Sequence, residues 1–325
     1  MRFSTHASDT SEREQTVSDL VPTAAAEESS TAHPPTTEGP GATGASASLW
    51  SDARRQLIRN PTFVLSALYI LVVGSMALFP TLWTDEDPRN CVISQSRQPP
   101  QEGHPFGFNI LGCDYYSHAI YGAQPSLSIA IGATVGIVLI GGSLGLLAGF
   151  YGGWADTIIS RIVDIFLSLP FLLGALVFLT VVKVQNILTI TMVLVILGWT
   201  TIARVMRGAV LSAKNLDYVL AARSLGAGNT RIMLRHILPN AVAPVTVLAT
   251  IALGSFVAAE ATLTFLGVGL QPPEESWGIM ITTHQVYFLE APWLLIFPMV
   301  LLIGTVLSFI LMGDALRDAL DPKMR

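Results

Sequence analysis

Charge is what this sequence has least of. Only 13% of its 325 residues are Asp, Glu, Lys or Arg, against roughly a quarter in soluble domains. Beside 51% hydrophobic residues, that scarcity excludes an ordinary soluble protein and points to lipid. Cysteine is nearly missing as well: Cys91 and Cys113 are the only two, which leaves room for one bridge at most. No G-x-x-x-x-G-K-[ST] occurs, so the chain has no cradle for nucleotide phosphates. No H-E-x-x-H occurs either, and no metal site or nucleic-acid partner is expected. A cleavable signal peptide is not expected, because the first apolar stretch begins only near Thr62.

Large apolar residues are scarce in one place. Residues 1–50 are rich in Ser, Thr, Ala, Pro and Gly, and such a stretch cannot bury enough surface to offset its ordering entropy. It reads as a disordered tail. Its seven acids and two arginines carry the whole net charge of −5, so residues 51–325 hold sixteen acids and sixteen bases. The acidic total describes the tail and carries no information about a ligand.

What is abundant is long apolar runs. A membrane-crossing helix needs about 20 mostly apolar residues, and six runs qualify: 62–82, 126–150, 158–182, 187–203, 241–268 and 291–312. Basic residues set their direction. Arg54, Arg55 and Arg59 precede the first run, and Arg204, Arg207, Lys214, Arg223, Arg231 and Arg235 fall between the fourth and fifth. Arg317, Lys323 and Arg325 follow the last run, while the alternate loops hold only Arg89, Arg97 and Lys183. Both termini and the 204–240 loop are therefore expected on the cytoplasmic side. The outer loop 83–125 then holds both cysteines on the oxidising side. They read either as a disulfide, worth about 3 kcal/mol for a loop of this length, or as two free thiols.

Inside the runs, Gly141, Gly145, Gly149 and Gly153 recur every four residues. They form a groove for the close approach of another helix, either in this chain or in a partner subunit. Gly141-Gly142-Ser143-Leu144-Gly145 matches the G-x-S-x-G hydrolase pattern. Ser143 is mid-helix, however, and all six histidines (His6, His33, His104, His118, His236, His284) lie outside the runs, which argues against a hydrolase. Asp164 follows Arg161 by one turn and reads as a local pair. Glu260, well into the fifth run, is a pore-lining candidate; it either faces a water-filled path or reaches the outer interface.

The 204–240 loop is too charged for lipid and too patterned for a plain connector. Asp217 reads as an N-cap for a helix over Tyr218–Leu225, which Gly226 ends as a left-handed residue. Asn229 or Thr230 then caps a second helix over Arg231–Leu238, and Pro239 leads into the fifth run. Ala221 and Ala222 give a shallow face, and Arg223 and Arg231 flank it with carboxylate-matching forks. Such a helix suits a groove on a soluble partner; the rival is a basic helix lying on anionic lipid.

The stretch "AARSLGAGNTRIMLRHILPN" resembles the signature loop of ABC-importer permeases, in which E-A-A, G and L-P recur at set spacing. Ala221, Ala222, Gly226, Leu238 and Pro239 fall on that pattern; Leu220 stands where the family has Glu, and His236 replaces an apolar residue. "HPFGFNILGCDYYSHAIYGAQPSL", "LLAGFYGGWADTIISRIVDIFLSLP", "EATLTFLGVGLQPPEESWG" and "GDALRDALDPKMR" are similar, in order, to segments of one branch. That branch is the C-type permease subunit of dipeptide and oligopeptide importers, which also includes nickel and glutathione systems. The resemblance covers nearly all of residues 50–325. Cys113 stands where the family has Arg, alongside the extra Cys91, which favours the bridge.

This resemblance implies an all-α integral membrane protein with the type I ABC-importer permease fold, resident in a bacterial inner membrane. It implies a B-type permease as heterodimer partner, two cytoplasmic ATPases that hold the ATP and Mg, and an extracytoplasmic substrate-binding protein. The chain itself would bind no cofactor and catalyse no reaction. Asp217, Leu220, Ala221, Ala222, Arg223, Leu225, Gly226, Arg231, Leu238 and Pro239 would form the ATPase-coupling surface. The rival from another class is a secondary transporter or channel, but the six runs show no halved symmetry.

Overall fold

A computed structural model describes residues 49–320 of the chain. Nearly all of the 1–50 tail, together with Lys323 and Arg325, lies outside the described residues. Among the described residues there is no strand, only isolated bridges and helices.

A short helix, α1 (Leu49–Arg59), packs along the C-terminal helix. Asn60 then caps α2 (Pro61–Leu78): its side chain accepts from the N–H of Thr62 at 3.0 Å, and Pro61 fills the position whose N–H is free anyway. Asp114 caps α3 (Tyr115–Tyr151) through the N–H of Ser117 at 2.8 Å. After it come α4 (Gly153–Leu167), α5 (Phe171–Val182) and α6 (Ile187–Ala213), the last capped by Asn186. The charged loop forms α7 (Asp217–Ser224) and α8 (Asn229–Arg231), which continues through a π turn into α9 (Leu238–Phe265). The outer segment holds α10 (Trp277–His284), and α11 (Trp293–Leu320) closes the bundle.

Five of these are long and apolar enough to cross a membrane: α2, α3, α6, the continuous 229–265 helix and α11. The third expected span, 158–182, is corrected. It is two helices, α4 and α5, bent by 83° at Ser168-Leu169-Pro170. Pro170 has no N–H for the helix ladder and restricts Leu169 to extended backbone, so one straight helix cannot form there.

The most extensive pairing is α3 with α6, which run parallel. The glycine row explains it. A Cβ on Gly141 would lie 2.3 Å from the Trp199 carbonyl oxygen, one on Gly145 2.3 Å from that of Ala203, and one on Gly149 2.9 Å from that of Arg207. The groove is thus filled by a backbone of the same chain. Gly153 does not belong to it: Gly152 and Gly153 both take positive φ, α3 ends at Tyr151, and a Cβ on Gly153 would touch nothing. The four-residue spacing outruns the helix that gives it meaning. On the other side, α9 runs antiparallel to α11, with Gly254 against Val306 and Gly313 against Ile251.

Candidate functional site

The charged loop builds a compact projection. Val219 is the one buried residue of α7, which packs on the π turn, while Tyr218, Leu220, Ala221, Arg223 and Leu225 stand exposed, Leu225 at 88%. Ala222 is half-buried beneath them. The helix ends in paired bonds, with the Gly226 N–H donating to Arg223 O at 3.0 Å and the Ala227 N–H to Ala222 O at 3.1 Å. That closure needs a left-handed residue, and Gly226 supplies φ of +78°. Arg223 and Arg231 enter no ion pair among the described residues, so their guanidinium forks remain open to a partner.

Both cap expectations are overturned. Asp217 is the first residue inside α7, and the N-cap position belongs to Leu216, which makes no side-chain bond. Asn229 and Thr230 both lie in the helix, behind Gly228. No break separates the loop's second helix from the following span. Pro239 has no N–H to donate back to Arg235, and the helix widens to a π turn over Ile232–Ile237 just before it. Leu238 and Pro239 therefore open α9 directly. Asn240 Nδ2 donates to the Tyr218 hydroxyl at 2.9 Å, tying α7 to the same helix. A push on α7 thus reaches α9 through one hydrogen bond, one buried valine and a continuous backbone.

Between α3, α4 and α6 sit polar contacts that single-residue patterns could not match up. Arg207 grips Asp156 through two bonds, joining α6 to α4. Arg204 reaches Asp164 at 3.1 Å, closer than the local Arg161 at 3.9 Å. Lys214 donates to Gly149 O at 2.9 Å, which fastens the end of α6 to the end of α3.

The pore-lining expectation for Glu260 is also overturned. Its side chain is 0% exposed. Thr264 and Ser276 hydroxyls donate to Oε1 at 3.0 Å each, and Ser126 donates to Oε2 at 3.3 Å. The carboxyl group knots α3, α9 and the start of α10 together. Truncation to alanine would strand three buried hydroxyls at about 1 kcal/mol or more each. We expect Glu260→Ala to lower the thermal midpoint of the solubilised protein sharply, and Glu260→Gln, which keeps the shape and can still bond, by less than half as much. Equal shifts would contradict the knot.

At the other end, Cys91 and Cys113 are bonded to each other. The loop they close packs over the start of α3, where Asn109 accepts from the N–H groups of Leu111 and Cys113 at 2.8 and 3.0 Å. Trp277 Nε1 donates to Ala119 O at 2.9 Å, and the Tyr115 hydroxyl donates to Leu294 O at 2.5 Å. His284 closes this cap with Nδ1 2.7 Å from Met280 O, and burial pushes its pKa below the ordinary imidazole value. His118 Nδ1 lies 3.0 Å from Glu275 Oε2.

The sequence that builds this bundle, with its charged projection between α6 and α9, matches known proteins. A family model described as the inner membrane component of binding-protein-dependent transport systems matches residues 141–325. The chain belongs to this family. A second model, the N-terminal TM domain of oligopeptide transport permease C, matches residues 48–100. Among relatives, a dipeptide transport system permease protein of Alkalihalophilus pseudofirmus is 36% identical over 85% of this chain and 90% of its own length. An oligopeptide transport system permease protein of Bacillus subtilis is 37% identical over 86% and 92%. A glutathione transport system permease protein of Pectobacterium atrosepticum is 35% identical over 85% and 92%. Family members are membrane permeases, and the α7 projection falls within the 141–325 match.

Proposed function

We propose that this chain is the C-type permease half of an ATP-driven importer of di- and oligopeptides, with α7 as the joint that receives the ATPases. The observation that carries this reading is α7 itself: six of its eight residues are exposed, and the Asn240–Tyr218 hydrogen bond ties it to α9. The names of the relatives supply the solute class, and glutathione, carried by one relative's system, is itself a tripeptide.

In this reading a B-type permease completes the pore. Two ATPases dock on α7 and its counterpart and hold ATP and Mg, and an extracytoplasmic binding protein delivers solute over the disulfide-closed loop. Both termini face the cytoplasm of a bacterial cell, and the chain resides in the inner membrane. ATPase closure presses α7, α9 transmits the movement, and the bundle opens outward. Small, shallow side chains at Ala221 and Ala222 permit a close fit, whereas a helix lying on lipid would need a broad face of large apolar residues.

The experiment is to purify the chain in mild detergent, identify what accompanies it, and reconstitute that assembly in vesicles. ATPase and receptor subunits are expected to co-purify. ATP depletion is expected to abolish tripeptide uptake, and collapse of ion gradients to leave it within about twofold, because the energy source is nucleotide rather than a gradient. Uptake that follows an ion gradient without ATP would make the chain a secondary transporter.

A further inference from the structure

α1 and α2 meet in an open pocket of about 620 Å³. Its depth in the membrane follows from α2, whose 18 residues span about 27 Å at 1.5 Å each, close to the roughly 30 Å of a hydrocarbon core. Pro61, the first residue of α2, therefore stands at one edge of the bilayer. α1 ends two residues earlier, at Arg59, and so lies at headgroup level.

α1 carries three arginines, Arg54, Arg55 and Arg59, against one acid, Asp52. All three arginines are exposed and enter no ion pair among the described residues. Arg55 and Arg59 are four positions apart and share a helix face. Together with Gln56, Asn60 and Pro61 they line the pocket, and Arg54 does not. No acid lines it: Asp314 and Asp318, near the end of the α11 helix against which α1 packs, stay outside its wall. Asn60 uses its Oδ1 to cap α2, which leaves its Nδ2 as a donor. Two guanidinium forks and two side-chain amides make a cradle matched to a phosphate oxyanion.

The pocket also has an apolar continuation. Pro61 belongs both to the pocket and to α2, and Val64, Leu65, Leu68 and Leu71 follow it at helical spacing. All five are exposed. The buried residues of α2, Ser66, Val73, Met76 and Ala77, lie on another side of the helix. An anion cradle at headgroup level thus runs into an apolar stripe along the first span. Free phosphate would use the cradle alone, and an apolar helix the stripe alone. A molecule with a phosphate head and a hydrocarbon chain uses both.

We propose that the α1–α2 junction is a binding site for an anionic phospholipid, its phosphate held by Arg55, Arg59 and Asn60 and an acyl chain laid along Leu65 and Leu68. The site is separate from the α7 joint and does not depend on which solute is carried.

The test compares two arginines inside the pocket with one outside it. The full-length chain, with whatever subunits accompany it, is purified in mild detergent and titrated with phosphatidylglycerol or with phosphatidylcholine. Native mass spectrometry counts the bound lipid. Phosphatidylglycerol is expected to bind about tenfold more tightly than phosphatidylcholine. Arg55→Gln combined with Arg59→Gln is expected to erase most of that preference, at least about tenfold, since each arginine at a membrane surface contributes to the attraction. Arg54→Gln removes a charge from the same helix and is expected to change the affinity by less than about twofold, because Arg54 lies outside the cradle. An equal loss in Arg54→Gln would mean diffuse charge without a site. No preference in the unaltered protein would leave the arginines to another partner, such as the acidic residues of the 1–50 tail. Displacement of the lipid by excess inorganic phosphate would reduce the junction to a plain anion site. Each of these three results overturns the proposal.

A second measurement checks the stripe. The two native cysteines are bonded to each other, so Leu68→Cys adds the only free thiol among the described residues. In native membranes a lipid-soluble maleimide is expected to label it, and a membrane-impermeant one to leave it unlabelled. A thiol closed to both reagents would put a partner protein on this face and overturn the lipid assignment.

Discussion

Gly145→Ala is expected to destabilise the protein by about 1–3 kcal/mol, the range for overpacking a tight interior, while Gly142→Ala stays within about 0.5 kcal/mol. The two glycines are three residues apart on one helix, so helix propensity acts on them equally. Their surroundings differ. A Cβ on Gly145 would sit 2.3 Å from the Ala203 carbonyl oxygen and 2.9 Å from Met206 Cβ, both held by the α6 backbone. One on Gly142 would meet only the Met206 terminal methyl, at 3.8 Å. In lipid there is little hydrophobic force between helices, so the close approach of α3 and α6 is itself a main source of their association. Thermal midpoints of the two variants in one detergent measure the difference, and equal midpoints would show that α3 and α6 are not held by this contact.

The second large effect falls on coupling instead of stability. Gly226→Val forces a β-branched residue to φ of +78°, a conformation such residues rarely adopt. Nothing lies within 4 Å of the added Cβ, so the damage is confined to the backbone turn that ends α7. Loss of the two closing bonds would let α7 yield when pressed. ATP hydrolysis by the assembled importer should continue within a few-fold, while uptake falls at least about tenfold, the scale of a coupling free energy of 1–3 kcal/mol. Gly226→Asn tolerates the left-handed region and should keep most of the uptake. Uptake by the valine variant at the unaltered rate would count against the joint.

Much of this architecture can be read from residue order, and the failures have particular causes. Five of the spans appear as hydropathy because length and composition alone decide them. The third does not, since averaging over 158–182 hides what Pro170 does to a single turn. The start of α3 at Tyr115 is missed for another reason. Residues 115–124 are polar enough to read as loop, yet Trp277 and Leu294 bury them from outside the helix. In the coupling region Gly226 is legible because its job belongs to one residue. The caps are not, because Asp217, Asn229 and Thr230 are all chemically able to cap and only the path of the chain chooses. Glu260 is the sharpest failure. A lone acid in an apolar run suggests water, and nothing in the order of residues reveals that Ser126, 134 positions away, and Ser276 converge on it. The Asp156–Arg207 pair is hidden likewise, by a separation of 51 positions.

The central claim is that α7 is seized by a separate ATPase. Ala221→Cys tests it most directly, because the new thiol sits on the exposed face of α7 and the native cysteines are already paired. A short maleimide photo-crosslinker on that thiol, applied to native membranes, is expected to yield one dominant adduct, a nucleotide-hydrolysing subunit identified by mass spectrometry. The adduct should rise when nucleotide is trapped. Crosslinking only to lipid, or to nothing, while the purified chain alone still carries solute across vesicles, would contradict the account.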